Sequence, residues 1–206
     1  MCRWIESIAL RNGRFLNLRY HQNRLNNTLL EHGGKPFLLL DTLLATHKTP
    51  QQGYYKVRIL YSKDRFLQVD LAPYQPKVWK RFELVEATHL NYCFKREDRA
   101  ALDSLKKEQD VEIIITQNGS ITDTTYSNLI FEKDGEWFTP ETYLLKGTQR
   151  QILLDTHKIK EAKITQCNLT SFNHFKMINA MMTLSESPTY SIDQISKGKR
   201  SFIPST

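Results

Sequence analysis

Cysteine is scarce in this chain, and what there is stands apart. Only Cys2, Cys93 and Cys167 occur in 206 residues, with no C-x-x-C pair and no His-Cys spacing that would hold zinc. This excludes a disulfide scaffold and a zinc module, and it points to a reduced thiol pool and a cytoplasmic protein. Long hydrophobic runs are missing too. No stretch approaches the ~18 apolar residues of a membrane span, and Met1-Cys2-Arg3-Trp4-Ile5-Glu6 has no continuous apolar core of a signal peptide. The chain is therefore expected to be soluble and unprocessed, with no membrane partner. It also has no internal repeat, no low-complexity stretch and no interleaving of aromatic and basic residues of the kind that grips nucleic acid.

What is present is an ordinary globular composition with a basic balance. Hydrophobic residues at 40% and aromatics at 11% are enough for a substantial core, in one large domain or two small ones. Lysine and arginine exceed aspartate and glutamate by 29 − 22 = 7. Such a charge fits nucleic acid, an anionic membrane surface or small anionic substrates, and a solvated surface explains it equally well. The basic residues are dispersed, and their densest cluster, Lys197 to Arg200, is short and terminal.

Local patterns predict α+β structure in both halves. Strands over Arg3 to Leu10 and Phe15 to Leu18 flank Asn12-Gly13, the pair that type I′ hairpin turns favour. Leu25, Leu29 and Leu30 recur at helical spacing between His21 and His32, and Gly33-Gly34 offers a left-handed cap. A second helix is expected from Phe37 to Thr46, then strands over Tyr54 to Tyr61 and Phe66 to Leu71. Pro73 and Pro76 mark a linker at about residues 73 to 88 and divide the chain into residues 1–80 and 81–206. The second part should hold a strand over Arg81 to Glu86, an apolar strand Leu90 to Phe94 closed by Lys95, and a charged helix from Arg96 to Lys107. Next come Val111 to Thr116, a turn at Asn118-Gly119 and a strand from Ile121 to Phe131. Trp137-Phe138, a helix from Gly147 to His157, and strands at Lys176 to Ala180 and near Ile192 complete it.

Four features could carry chemistry. A lysine forms a Schiff base only as the neutral amine, so it needs partial burial or a nearby positive charge. Lys95, with five mostly apolar residues before it and Arg96 and Arg99 after it, has the best setting, although a surface lysine at a strand end is the commoner case. Lys56 is the nearest rival, on a strand face it shares with Arg58 and turned to solvent. Asp123, among threonines on a strand, can hold a pyridine nitrogen protonated or can simply cap local amides. Gly147-Thr148-Gln149 at a helix start can hold a phosphate through free amides, or be a plain helix N-terminus. Arg24, early in the first long helix, is a second phosphate anchor or an exposed arginine. A lysine, a carboxylate and a Gly-Thr helix start together supply what a pyridoxal phosphate site needs.

With Ile5-Glu6-Ser7-Ile8, His21-x-x-Arg24-Leu25, Ser127-Asn128-Leu129-Ile130-Phe131 and Leu145-Lys146-Gly147-Thr148-x-Arg150 in place, the chain resembles the class IV, D-amino acid aminotransferase-like pyridoxal phosphate enzymes. That group includes branched-chain aminotransferases and aminodeoxychorismate lyase. The resemblance covers most of the chain, up to Asn179-Ala180. It implies a two-domain fold with the cofactor between the domains and a homodimer. It makes Lys95 the Schiff-base lysine and Arg24 a phosphate ligand, sets Asp123 in the place of the family's glutamate, and gives Gly147, Thr148 and Gln149 the phosphate loop. Lys176 to Met181, including Ala180 and Met181, is similar to the strand and turn that close the phosphate site. Three departures accompany it: the chain starts near the family's first core hairpin, so an N-terminal segment with substrate contacts is expected to be missing; Asp123 is one methylene short; and the interval from Lys95 to Asp123 is compressed.

Two enzymatic readings follow from that resemblance. The first is a lyase similar to aminodeoxychorismate lyase, releasing pyruvate from 4-amino-4-deoxychorismate to leave 4-aminobenzoate for folate biosynthesis, with Lys95 as general base. Short length, Asn179-Ala180 and Lys95-x-x-x-Arg99 favour it. The second is an aminotransferase acting between an amino acid and a 2-keto acid, which Glu6 in Ile-Glu-Ser-Ile favours. A non-enzymatic alternative is a basic binding protein with a degenerate site, drawing on the net charge and Lys197-Gly198-Lys199-Arg200.

Overall fold

In a computed structural model, which describes residues 2–36 and 38–197, the chain divides into two compact units. The first comprises residues 1–76 together with 94–98, and the second comprises 77–93 and 99 onward. Phe94–Asp98, which a single cut near residue 80 would give to the second part, therefore belongs to the first unit, and Lys95 with it. Helix and strand are mixed in both units, giving an α+β fold. Among the described residues no helix is long and apolar enough to cross a membrane.

The first unit is a four-stranded antiparallel sheet with two helices. Its strands are β1 (Trp4–Arg11), β2 (Arg14–Phe15), β3 (Tyr54–Tyr61) and β4 (Phe66–Pro73), in the order β2-β1-β3-β4. Asn12 and Gly13 both take positive φ, 47° and 76°, as a type I′ turn requires. Helix α1 (Leu18–Glu31) begins a turn earlier than the leucine spacing suggests, because Asn17 adopts the left-handed conformation and releases the chain into the helix at once. Helix α2 (Leu40–Ala45) is shorter than expected. Its start is fixed by Gln22, whose side chain accepts from Leu40 N and donates to Leu38 O, both at 2.8 Å. Phe37, the expected first residue of that helix, lies outside the described residues. Leu25 and Leu29 of α1 pack with Trp4, Ile8 and Leu10 of β1 and with Val57, Ile59 and Tyr61 of β3. Each of these buried aliphatic side chains contributes about 1.5–3 kcal/mol.

The second unit is built on a larger mixed sheet. Strands β5 (Arg81–Glu86) and β6 (Val111–Gln117) run parallel, and β6 then pairs antiparallel with β7 (Ser120–Thr124). The sheet continues through β8 (Asn128–Lys133), β9 (Glu136–Pro140) and β10 (Lys160–Ala162). β11 (His174–Ile178) pairs with β8 and with β12 (Thr189–Ser191), and β13 (Ile195–Lys197) pairs with β5. Two helices complete it, α3 (Ala100–Asp103) and α4 (Thr148–Asp155). The core is an aromatic cluster in which Phe82 meets Phe175 edge-on at 4.8 Å and Tyr190 at 4.7 Å.

Several sequence expectations differ from this fold. Leu90–Phe94 is not a strand. Its apolar side chains serve separate cores, Leu90 and Tyr92 in the second unit and Phe94 in the first, so the segment crosses between units instead of joining a sheet. The charged helix shrinks to Ala100–Asp103, since Leu102 and Leu105 are its only buried apolar anchors and 3₁₀-type bonds tighten the chain straight after it. The strand expected over Ile121–Phe131 is broken by a turn at Thr125–Ser127, held by Thr124 N to Ser127 O (2.8 Å) and Ser127 N to Thr124 Oγ1 (3.1 Å). The strand placed at Lys176–Ala180 sits two residues earlier, and Ile192 begins a 3₁₀ turn capped by Ser191. Lys56 is half-buried on a face it shares with buried Leu60, so that face does not simply meet solvent. Of the terminal basic run, residues 198–200 lie outside the described residues.

Candidate active site

Period-two alternation along β1 puts Glu6 on the helix-facing side, between Trp4 and Ile8 of the core. On α1, His21, Arg24 and Thr28 recur at three- and four-residue spacing on the facing stripe. The result is a tight charge cluster. Arg24 donates from Nε to Glu6 Oε1 at 2.9 Å and from Nη2 to Oε2 at 2.6 Å, a bidentate pair. His21 Nδ1 lies 2.6 Å from Glu6 Oε2. Glu6 is fully buried. Burial pushes its carboxyl up, but the Arg24 charge and the bonds from His21 and Arg24 outweigh this and bring it down to about 2. Burial lowers His21, against the pull of Glu6. The ring is then neutral near pH 7, with Nδ1–H donating to Glu6 and Nε2 left as an acceptor with no partner in the protein.

Lys95 is anchored to this cluster by its main chain. Ile5 N donates to Lys95 O at 2.9 Å, Arg96 forms an antiparallel bridge with Trp4, and Glu97 N donates to Arg3 O at 3.0 Å. Arg3 also meets Glu97 through an ion pair of 2.6 Å. The lysine thus runs beside the strand that carries Glu6, and its charge is among those that depress His21. Lys95 and Arg24 both belong to the first unit, and the charges of both act on His21.

A second group forms in the second unit. Asp123, buried on β7, accepts from Leu144 N at 3.1 Å and Leu145 N at 2.9 Å through Oδ2, and from Asn128 Nδ2 at 2.8 Å through Oδ1. Burial raises its carboxyl to about 6 in spite of these bonds. Asn128 Nδ2 also donates to Leu145 O at 2.9 Å. A Cβ on Gly147 would lie 1.8 Å from Asn128 Oδ1, so only glycine fits there. Gly147 caps α4 without a side-chain acceptor, and no acid sits in the first turn. Thr148 and Gln149 are buried, and Gln149 Oε1 has no partner. Asn179 holds the turn containing Ala180 and Met181: its Oδ1 accepts from Met181 N at 2.8 Å, and its Nδ2 donates to Ser127 Oγ at 2.8 Å.

Two residues of these networks escaped the sequence reading. Asn128 stood there only within the Ser127–Phe131 motif, with no role of its own. Glu112, in Val111-Glu112-Ile113-Ile114-Ile115, is fully buried and fixes the Thr125–Ser127 turn by accepting from Thr125 N (3.0 Å) and Thr125 Oγ1 (2.6 Å). A lone acid inside an apolar run was the available signal.

Each unit by itself holds groups that suit part of a phosphate-bearing aldehyde cofactor. A guanidinium and a lysine stand together in one unit, and in the other a glycine-capped helix start offers amides to an anion. Residues 4–186 match the amino-transferase class IV family. The chain belongs to that family. It is accordingly a pyridoxal phosphate-dependent enzyme. An uncharacterised protein of Haemophilus influenzae is 34% identical over 181 residues, covering 85% of this chain and 96% of the relative. A solved structure from Haemophilus somnus, a candidate 4-amino-4-deoxychorismate lyase, is 34% identical with a TM-score of 0.83, over 89% of this chain and 98% of that one. The branched-chain amino acid aminotransferase of Escherichia coli shares the fold at 14% identity and TM-score 0.68, over 94% of this chain and 76% of that one. An aminotransferase from Brucella abortus with the same fold, 17% identical with a TM-score of 0.67 over 99% of this chain and 84% of that one, was solved bound to PLP.

Proposed function

We propose that this class IV protein is a lyase that releases pyruvate from 4-amino-4-deoxychorismate and leaves 4-aminobenzoate, a step of folate biosynthesis. The observation that carries the reading is the fixing of Lys95 beside β1, next to the buried Glu6–Arg24 pair. Lys95 would carry the cofactor and would serve as general base. Arg24 would serve as a phosphate ligand, and so would the first-turn amides of α4, at Thr148 and Gln149, and the turn at Ala180 and Met181. Bound there, the cofactor would supply an electron sink for the electron pair left on the substrate carbon when its proton passes to the base. Glu6 keeps Arg24 oriented and accepts from Nδ1 of His21, a ring that burial keeps neutral. The relative that is 34% identical and named as a candidate lyase of this kind supports the substrate. The basic balance suits an anionic dicarboxylate.

A second reading is an aminotransferase that moves an amino group between an amino acid and a 2-keto acid. It is supported by the family's own description and by an amino-acid aminotransferase candidate from Mesorhizobium loti, whose fold the chain shares. Assembly as a homodimer belongs to both readings. A cytoplasmic setting agrees with three free, exposed thiols. Incubation with 4-amino-4-deoxychorismate, and separately with amino acid and keto acid pairs, distinguishes the reactions. Pyruvate with 4-aminobenzoate supports the lyase, and amine transfer without them overturns it.

A further inference from the structure

The geometry points to Asp123 as a positioning residue, whose carboxylate holds the Leu144–Gly147 turn leading into α4 instead of pairing with the ring nitrogen of the cofactor. This rests on the reading that the start of α4 receives the cofactor's phosphate. A carboxylate offers about four lone-pair sites, and three are taken here by Leu144 N, Leu145 N and Asn128 Nδ2. Asp123 and Asn128 are the residues through which β7 and β8 pair. Together they grip the turn from two sides: the carboxylate takes its amides, and the Asn128 amide takes Leu145 O while its oxygen rests against Gly147. Swinging the carboxylate toward a ring would leave two enclosed amides without an acceptor and would release the turn. Glutamate has a further methylene with which to reach outward. Aspartate at this position is short enough to stay back on the main chain. Arg150, whose charge acts on Asp123, is itself tied to Pro140 O at 3.0 Å and to the Glu161 carboxylate.

Asp123 then acts on the cofactor through its phosphate. In Asp123→Asn, the new amide sets one donor against Asn128 Nδ2, and the brace loosens. The affinities for inorganic phosphate and for pyridoxal 5′-phosphate are expected to fall on the order of tenfold, while that for pyridoxal, which lacks the phosphate, stays as in the wild type. The ring-nitrogen signal of bound ¹⁵N-labelled pyridoxal 5′-phosphate should not differ between the two proteins. Asn128→Ala leaves the carboxylate in place and should reproduce the phosphate-selective loss, which covers the case in which Asp123→Asn folds poorly. A ring-nitrogen signal that moves in Asp123→Asn, equal losses for pyridoxal and its phosphate, or unchanged phosphate affinity in both variants overturns the inference. A wild-type protein that takes up neither pyridoxal 5′-phosphate nor phosphate removes instead the cofactor assignment beneath it.

Discussion

Replacing Glu6 by glutamine removes one charge from the middle of the first unit with almost no change of shape. The carboxyl falls from 4.5 to about 2 in the folded protein. Each unit is worth ~1.36 kcal/mol, so the linkage amounts to about 3 kcal/mol at neutral pH. The folded value is depressed, so this stabilisation is complete above 4.5 and is lost as the pH falls toward about 2. Glutamine can still accept from His21 through its oxygen, but it cannot neutralise Arg24, whose side chain is only 14% exposed. Removing one partner of a buried pair commonly costs ~3–5 kcal/mol, and the partial exposure of Arg24 puts Glu6→Gln at the lower end. Amide hydrogen exchange of β1 and α1 in increasing urea reports the stability of this unit without assuming that the whole chain unfolds at once. The expected loss is about 3 kcal/mol near neutral pH, shrinking as the pH is lowered below 4.5. A loss below ~1 kcal/mol, the range of an exposed ion pair, or a loss that does not change with acidification, would refute the assignment of Glu6 as the anchoring charge.

Asp123 should behave in the opposite sense. Its carboxyl is raised from 3.8 to about 6, so its contribution is full below the lower value and is lost as the pH rises through the upper one. Denaturant midpoints of Asp123→Asn relative to the wild type should therefore improve as the pH rises across that window. Gly147→Ala drives a methyl into Asn128 Oδ1, and thermal denaturation should show a loss of ~1–3 kcal/mol with weakened phosphate binding. Phe175→Ala empties the centre of the aromatic cluster and should cost ~3–5 kcal/mol in urea unfolding of the second unit.

Much of the fold was legible because it is written in short-range patterns. β3 and β5 begin and end where their alternation begins and ends, and Asn12-Gly13 and Asn118-Gly119 turn the chain as their left-handed propensity requires. The errors lie where long-range partners decide. Leu90–Phe94 is apolar enough for a strand, but its residues are divided between two cores. Ile121–Phe131 is interrupted because Glu112, remote in sequence, fixes Thr125. The candidate site shows the same split. Lys95, Arg24 and Gly147 were named from local context and resemblance, whereas the bonding of Glu6 to His21 and Arg24 needed the register of α1 on β1. Asp123 was recognised as notable by its neighbours, but its three donors come from Asn128 and from a turn some twenty residues further on, which no local pattern reveals.

The assignment of Lys95 as the residue that carries the cofactor is tested most directly by loading the protein with pyridoxal 5′-phosphate, reducing with borohydride and mapping the modified peptide by mass spectrometry. The label is expected on Lys95, with Lys95→Ala taking up none while keeping the wild-type fold by circular dichroism. A label on Lys56, Lys146 or another lysine, or a Lys95→Ala protein that is still labelled in full, would contradict it.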